Sequence, residues 1–194
     1  MATQTTARIG MPLDEFNRLQ AEQPFELLHG ERIDKMPNPW IHSWIIRLLF
    51  RVLDRWCTEH QLGEVFQETT YATVEGSAWV KGARIPDLMV FAPHRVQTCL
   101  DSIERAPNMP FAIAPDLTIE VLSASETATE INKKITVDLE QGVCLIWIVD
   151  PMQQTVHEYS GDQVRRLLAE DHLDGRDVLP GFRLALADLF AEVR

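Results

Sequence analysis

The sequence predicts a mixed α/β fold in which a central sheet is flanked by helices. Segments with helical periodicity alternate along the chain with β-branched or aromatic runs that are bounded by Gly and Pro residues. A strand–helix–strand unit over residues 116–149 further predicts a right-handed parallel crossover. The chain has 194 residues, which fit one domain (1–194) with a sizeable core.

The N-terminal third is predicted to form two helices with a hairpin between them. MPLDEFNRLQAEQ (11–23) has apolar residues at three-residue spacing and two acids early in the pattern, which is typical of a helix. FELLHGERIDKM (25–36) is typical of a hairpin that turns at His29-Gly30. The longest helical pattern runs from Ile41 to His60, and we expect Gly63 to end it.

Three extended runs follow and predict neighbouring strands: GEVFQETTYATV (63–74), ARIPDLMVFA (83–92) and PDLTIEVLS (115–123). Residues 92–114 contain three prolines, and we expect them to form a long connection between the last two of these strands.

The C-terminal part predicts a helix, a central strand and a second hairpin. We expect the helix from about Ser125 to Gln141, where Gly142 stops it. VCLIWIVDP (143–151) is apolar throughout, as in a fully buried strand. TVHEYSGDQVRRLLA (155–169) predicts a hairpin that turns at 160–162, and LPGFRLALADLF (179–190) predicts a turn followed by a short helix.

Composition and charge exclude several classes of protein. The longest apolar run, Val143 to Val149, is too short to span a bilayer, and the N-terminus lacks the pattern of a signal peptide. We therefore expect a cytoplasmic protein without a membrane partner, with its three cysteines reduced and buried. The net charge of −11 argues against a simple DNA-binding protein, because such proteins usually carry a basic stripe. Binding to nucleic acid would be weak, or would depend on a local basic patch or a second partner.

Two acids lie four residues apart in the apolar run APDLTIEVLSAS (114–125). Because side chains on a strand alternate between faces, Asp116 and Glu120 point one way and the apolar residues 117, 119 and 121 point the other. Asp87 follows a proline at the start of another predicted strand, so Asp87 and Glu120 meet at one end of the sheet if the two strands pair. Such a pair is suited to a hard divalent cation. The alternative for Asp116 is a hydrogen bond to the backbone of its own turn.

Several motifs occur in an order that resembles a known family: FELLHGER, His42, RIPDLMVF, PDLTIEVLSAS, Lys134, GVCLIWIVDP and LPGF. In this order the sequence resembles the Uma2 family of restriction-endonuclease-like proteins, which belong to the PD-(D/E)XK nuclease superfamily. The resemblance covers about 25–190. It implies a restriction-endonuclease-like core with a mixed central sheet, flanking helices and extra β-hairpins at the N- and C-terminal ends. The sequence departs from the family pattern at four positions: Ala124, Glu130, Asp138 and Leu145.

The resemblance implies that Asp87 and Glu120 are catalytic residues and metal ligands, with Mg²⁺ or Mn²⁺ as the cofactor. The superfamily lysine usually stands two residues after the second acid, where this chain has Leu122. The resemblance therefore implies that a lysine from the following helix takes its place.

Helical geometry distinguishes two candidates for that lysine. Lys133 lies nearly opposite the apolar stripe formed by residues 131, 135 and 139, whereas Lys134 lies at its rim, about 100° from its centre. We expect Lys134 to reach the site, with Glu130 and Asp138 holding its ammonium group from four residues away. The alternative is an ordinary surface salt bridge.

Three further residues are candidate auxiliary groups. Glu26 falls in a pattern of the resembled family and is either a supporting carboxylate or an exposed hairpin residue. His42 occupies a family-matching position at the start of the long helix, where a cap or a packing role is the alternative. Asp116 is the third candidate.

The resulting hypothesis is a Mg²⁺-dependent nuclease that hydrolyses phosphodiester bonds of nucleic acid. One alternative is a catalytically degenerate member of the fold that acts as a protein-interaction module, and another is a metal-dependent hydrolase with a different substrate. We also expect a homodimer. Trp40 and Trp44 lie on one face of the long helix. We interpret them as core residues, and an interface between two copies is the alternative.

Overall fold

The computed structural model describes residues 8–76, 78–105, 109–124 and 126–191, without the side chains of 99 and 102–105. The strands are β1 (Met11–Pro12), β2 (Phe25–Leu28), β3 (Glu31–Asp34), β4 (Glu64–Gln67), β5 (Tyr71–Glu75), β6 (Trp79–Arg84), β7 (Leu88–Phe91), β8 (Leu117–Val121), β9 (Leu145–Asp150), β10 (Thr155–Ser160), β11 (Gln163–Leu167), β12 (His172–Asp174) and β13 (Arg183–Ala185). The helices are α1 (Leu13–Glu22), α2 (Trp40–His60), α3 (Pro93–Arg105), α4 (Ala128–Glu140) and α5 (Leu186–Ala191).

A six-stranded mixed sheet lies at the centre, in the order β11-β10-β9-β8-β7-β4. The strands β8 and β9 are parallel, and α4 connects them, as the strand–helix–strand pattern predicts. The other neighbours in this sheet are antiparallel. The predicted fold class, a mixed sheet with flanking helices, is therefore confirmed.

Helices cover both faces of the central sheet. On one face, α2 and α5 pack against the apolar side of β8 in a core that contains Leu117, Ile119, Val121 and the fully buried Trp147. On the other face, α4 packs Ile135 against the outward side of β9. The alternation predicted for β8 is thus confirmed, and it leaves Thr118 and Glu120 on the α4 side of the sheet.

A second sheet, in the order β1-β6-β2-β3 with β5 added to β6, lies beside the first. Helix α1 covers it through Phe16, whose ring packs edge-on against Phe25. The hairpin β2–β3 turns through His29 and Gly30, both with positive φ, as a tight hairpin turn requires. The hairpin β10–β11 turns at the predicted place, so both predicted hairpins are confirmed.

Two extended runs that the sequence presents as single strands are each divided between the two sheets. The run 63–74 forms β4 in the central sheet and β5 in the second sheet. The run 83–92 passes from β6 in the second sheet to β7 in the central sheet, and Asp87 lies at the junction. This junction positions the candidate site.

The predicted long connection 92–114 contains a helix that the sequence pattern does not predict, because α3 occupies its first half. Pro93 stands at the first helical position, where the missing N–H is not needed, so it starts a helix rather than breaking one. The short sheet β12–β13 is a further element that the sequence pattern does not predict.

The ends of two helices also differ from expectation. Gln61, in the left-handed conformation, caps α2 before Gly63 is reached. The predicted start of α4 at Ser125 lies outside the described residues. The helix begins after Thr127, which forms a reciprocal capping box with Glu130.

The structure also tests the expectations about the cysteines, the tryptophans of α2 and membrane-spanning segments. Cys57 is buried, and burial raises the pKa of its thiol to about 11, whereas Cys144 is exposed, contrary to expectation; the side chain of Cys99 lies outside the described residues. Trp40 and Trp44 are both exposed, so the interpretation as core residues is wrong. Among the described helices, none is long and apolar enough to cross a membrane.

Candidate functional site

The pairing of β7 with β8 brings the two predicted acids together. Leu88 lies opposite Ile119 in this antiparallel pair, so one further step along the register places Asp87 opposite Glu120. The backbone N–H of Val121 donates a hydrogen bond to Oδ2 of Asp87 at 2.8 Å. The structure therefore brings Asp87 and Glu120 together at one end of the sheet, as expected.

Asp87 is buried and has three polar neighbours, which come from β8, from α2 and from the segment after β3. Besides the Val121 N–H, Nε2 of His42 in α2 lies 3.0 Å from Oδ2. A carboxylate oxygen can only accept, so Nε2 of His42 donates this hydrogen bond. On the other oxygen, Nζ of Lys35 lies 3.5 Å from Oδ1. Nδ1 of His42 is buried and has no hydrogen-bond partner among the described residues.

Glu120 is bound by a different cation on each oxygen. Nη2 of Arg84 donates to Oε1 at 2.7 Å, and Nζ of Lys134 donates to Oε2 at 3.2 Å. Burial alone would raise the pKa of Glu120, but the charges of Lys134 and Arg84 outweigh it and lower the pKa. Glu120 is therefore ionised at neutral pH, in the form that a cation requires.

Lys134 points into the site, as its position on the helix predicts. Only 6% of it is exposed, and its ammonium group also donates to Glu126 at 2.8 Å and lies 3.4 Å from Glu26. Burial on its own would lower the pKa of Lys134, yet the carboxylates of Glu120 and Glu26 raise it, so the group stays charged.

The predicted holders of Lys134 are wrong, because both are engaged elsewhere. Glu130 closes the capping box of α4, and Asp138 binds Arg84. Lys133 points away from the site and pairs with Glu31 on β3, with about a third of its side chain exposed. The choice between the two lysines on helical geometry agrees with where each side chain lies.

Arg84 is a residue of the site that sequence reasoning missed. It is fully buried at the end of β6 and forms ion pairs with Glu26, Glu120 and Asp138. Burial alone would lower the pKa of Arg84, but these carboxylates, Asp138 foremost, raise it well above its usual range. A lone arginine in the apolar run ARIPDLMVF was the available signal, since a cation in such a run needs buried acids as partners.

Asp138 anchors this arginine to the centre of the sheet. Its Oδ1 accepts from Nε of Arg84 at 2.7 Å and from the hydroxyl of Tyr71 at 2.6 Å, and its Oδ2 accepts from the hydroxyl of Thr118 at 2.8 Å. The pKa of Tyr71 is raised well above its usual value by burial and by Asp138, so the hydroxyl remains a donor.

Glu26 is buried, which rules out the exposed-hairpin alternative. Its Oε1 accepts from the Ile85 backbone N–H at 2.8 Å and from Arg84. Its Oε2 is buried without a hydrogen-bond partner among the described residues, although Lys134 is near it. Glu26 thus offers one carboxylate oxygen toward the site.

Asp116 does not join this cluster. It lies before the first residue of β8, accepts a hydrogen bond from the Ala92 N–H at 2.8 Å, and pairs with Arg95 at 3.3 Å. The structure therefore places Asp116 among the residues at the start of α3, where it ties that helix to the sheet. The idea that it shares a site with Glu120 is not supported by this placement.

The clustered side chains line one cavity of about 110 Å³. Its walls include five of the predicted site residues: Glu26, His42, Asp87, Glu120 and Lys134. They also include residues that were not predicted, among them Lys35, Met36, Asn38 and Glu126. The cavity is large enough for an ion with several waters.

The residues present fit a hard divalent cation. Within the described residues no three His, Cys, Asp or Glu side chains form a metal-binding group by themselves. Mg²⁺, however, is commonly bound through one or two carboxylates and completes its shell with water and substrate phosphate. Asp87 and Glu120 supply two such carboxylates, and Glu26, whose Oε2 lies 3.4 Å from Lys134, lines the same cavity. An oxygen-only donor set of this kind suits Mg²⁺ or Mn²⁺.

Comparisons with known proteins agree with the fold and with the family that the sequence resembles. The sequence profile of the Uma2 family, described as "Putative restriction endonuclease", matches residues 13–187. A crystal structure of a "putative nuclease belonging to DUF820" from Anabaena variabilis is similar, with a TM-score of 0.78 and 27% sequence identity over 95% of this chain and 99% of that one. A search of curated proteins finds no significant match.

Proposed function

The chain belongs to the Uma2 family, and from this membership and the geometry of the site we propose that it is a Mg²⁺-dependent nuclease that hydrolyses phosphodiester bonds of nucleic acid. The observation that carries the proposal is the convergence of Asp87, Glu120 and Lys134 on one cavity. The family and the structural neighbour support a nuclease in general terms. The cofactor and the residue roles below are our proposal.

Asp87 and Glu120 would hold the ion, either Mg²⁺ or Mn²⁺. Bound there, it would polarise a phosphoryl oxygen and make a water more acidic. Each carboxylate oxygen has two acceptor positions, so Oε2 of Glu120 can keep its bond to Lys134 while it faces the cavity.

Lys134 would bind the reacting phosphate or orient the attacking water. The structure gives it two hydrogen bonds, to Glu120 and Glu126, and an ammonium group has three donors. The third N–H can therefore go to a phosphate oxygen or to a water. Its raised pKa keeps the charge that stabilises negative charge building up on the phosphate.

The remaining groups hold these three residues in place. The Nε2–H of His42 and the Val121 N–H bind Oδ2 of Asp87, which would leave Oδ1, 3.5 Å from Lys35, for the ion. Arg84 fixes Glu120 and Glu26 relative to each other. Lys35 is a further cation at the cavity that can contact a phosphate, since it lies at its rim with about a fifth of its side chain exposed.

Metal binding and cleavage test the proposal separately. We expect calorimetric titration with Mg²⁺ or Mn²⁺ to show binding that Asp87→Asn and Glu120→Gln abolish. Glu158→Gln is the matched control, because Glu158 is equally buried and ion-paired but lies on β10 away from the cavity. Absence of metal binding by the wild type at millimolar metal would leave the proposal without its cofactor.

Cleavage is then measured on plasmid, single strands and RNA at low salt, since the net charge of −11 weakens association. We expect Lys134→Ala to reduce the rate of cleavage about a hundredfold or more. Lys133→Ala, one residue away, should leave that rate unchanged. Cleavage that survives Lys134→Ala refutes the role assigned to that residue. Metal binding without cleavage of any nucleic acid favours the alternative of a degenerate protein-interaction module or of another substrate.

A homodimer and a cytoplasmic location accompany this proposal as predictions. Light scattering coupled to gel filtration measures the first, and localisation of the tagged full-length chain measures the second. A monomer at the concentrations used for cleavage would contradict the expected dimer.

A further inference from the structure

The outward face of α2, opposite His42, carries aromatic and basic side chains. Of the five tryptophans, all of which lie in the described part of the chain, only Trp40 and Trp44 are exposed, at 66% and 37%. Arg47 and Arg51 are exposed on the same helix. At 100° per residue these four side chains fall within a stripe about 60° wide, and it extends about 16 Å along the helix.

This stripe is a local exception to the acidic charge of the chain. Between Asp34 and Asp54 the sequence contains no acidic residue, although the whole chain has 29. The guanidinium of Arg47 lies 5.1 Å from the ring centre of Trp44, which is a cation–π distance. The stripe therefore combines flat aromatic surfaces with positive charge, which suits an anionic partner that has flat apolar rings.

The stripe and the candidate active site lie on opposite sides of α2 and are nearest to each other in sequence at its N-terminal end. His42 lies between the two tryptophans in sequence, on the opposite side of the same helical turn, where it contacts Asp87. Asn38 and Met36, which precede Trp40, line the cavity itself. A strand of nucleic acid lying along the stripe would therefore reach the cavity by passing around the N-terminal end of α2, where Met36 and Asn38 stand.

We propose that the stripe Trp40–Trp44–Arg47–Arg51 binds unpaired bases by stacking, so that the substrate presents a single-stranded segment at the site. This inference rests on the proposed nuclease function. Aromatic side chains stack on base faces, which a duplex hides and a single strand exposes, and arginines contact the backbone phosphates.

Binding without metal tests the inference independently of catalysis. Fluorescence anisotropy is measured in EDTA with a labelled DNA strand about 15 nucleotides long, with the RNA of the same sequence, and with the blunt DNA duplex. We expect either single strand to bind more tightly than the duplex. Trp40→Ala and Trp44→Ala should each weaken single-strand binding about fivefold or more, and Arg47→Ala and Arg51→Ala should each reduce the slope of affinity against salt by about 0.7.

The matched control is Met152→Ala, which removes an even more exposed apolar side chain from the turn between β9 and β10. It should leave binding unchanged. The inference is overturned by a duplex that binds as tightly as the single strands, or by a Trp40→Ala/Trp44→Ala double variant that binds single strands like the wild type. It is also overturned if the double variant converts a wild-type dimer into a monomer, because the stripe is then an interface between copies.

Failure of this inference and failure of the proposed function give different results. Metal-dependent cleavage that the double tryptophan variant retains in full would refute the stripe and leave the nuclease intact. Single-strand binding that depends on Trp40 and Trp44, in a protein that cleaves nothing, would support the stripe and refute the nuclease.

Discussion

Replacing Arg84 by Met is expected to destabilise the fold by about 3–5 kcal/mol. Arg84 is fully buried and neutralises three carboxylates, those of Glu26, Glu120 and Asp138. Methionine fills much of the same volume, so the loss of charge dominates over the loss of packing. The protein would be left with three buried acids and Lys134 as the nearest cation.

The size of the loss follows from how the three acids depend on the arginine. Glu120 and Glu26 still have Lys134 at 3.2 and 3.4 Å, so its positive charge continues to balance part of their negative charge. Asp138 keeps hydrogen bonds from two hydroxyl groups but loses the charge of Arg84. Adding Asp138→Asn to Arg84→Met removes the least compensated charge, so we expect this second change to restore at least about 1 kcal/mol.

Urea denaturation at neutral pH measures the free energy of unfolding of the wild type and of the variants. Arg18→Met is the matched control, since Arg18 pairs with Glu22 at 2.7 Å on the surface and its loss should cost at most about 0.5 kcal/mol. Lowering the pH toward 4.5 should shrink the deficit of Arg84→Met. In the variant burial still raises the pKa of Glu120 while the lowering effect of Arg84 is gone, so Glu120 takes up a proton more readily as the pH falls. In the wild type the pKa of Glu120 is lowered, so its stabilising contribution is present above pH 4.5 and is lost only below it. A deficit under about 1 kcal/mol, or one that Asp138→Asn deepens, would refute the reasoning.

Three further predictions concern pH, a helix cap and a glycine. Burial alone would lower the pKa of Lys134, but the carboxylates around it raise that pKa above 10.5. The stability that Lys134 provides, measured as the difference in unfolding free energy from Lys134→Met, should therefore be constant below pH 10.5 and decline above it. A decline that begins near neutral pH would contradict this. Thr127→Ala should cost about 0.5–2 kcal/mol in thermal or urea unfolding, whereas Thr127→Ser keeps the cap and most of the stability. Gly63→Ala should cost more than about 1 kcal/mol, because φ is +118° and a Cβ would collide with the carbonyl of Phe91. Gly142→Ala is the control, because Gly142 also has a positive φ (+87°) but a Cβ there would meet no atom. Equal losses of stability at the two glycines would show that the collision with Phe91 contributes nothing.

The candidate site was predictable where a side chain's direction follows from its own element. Glu120 points away from the apolar core because the residues on either side of it, Ile119 and Val121, face that core. Lys134 rather than Lys133 reaches Glu120 because of where each stands around α4. The meeting of Asp87 with Glu120 needed one assumption more, that β7 and β8 pair, and the structure has this pairing.

The errors share a cause, which is that the sequence does not say which element packs on which. Asp116 shares a face with Glu120 along an ideal strand, yet it lies before β8 begins and bonds to Ala92 and Arg95. Trp40 and Trp44 have the spacing of a core face, but Ile45 and Leu49 take that role in α2. An apolar pattern establishes that a helix has a buried side, and the partners that cover it decide which residues that side includes.

The sequence by itself determined the class of fold, the order of its main elements, and the identities of the two acids and the lysine that share the cavity. Only the tertiary structure revealed Arg84 as the cation that holds three acids from three different elements in place. Periodicity determines how a side chain is directed within its own helix or strand, because it reflects local backbone geometry. Charge compensation in a buried cluster depends on distances between elements far apart in sequence, and those distances exist only once the sheets and helices have packed.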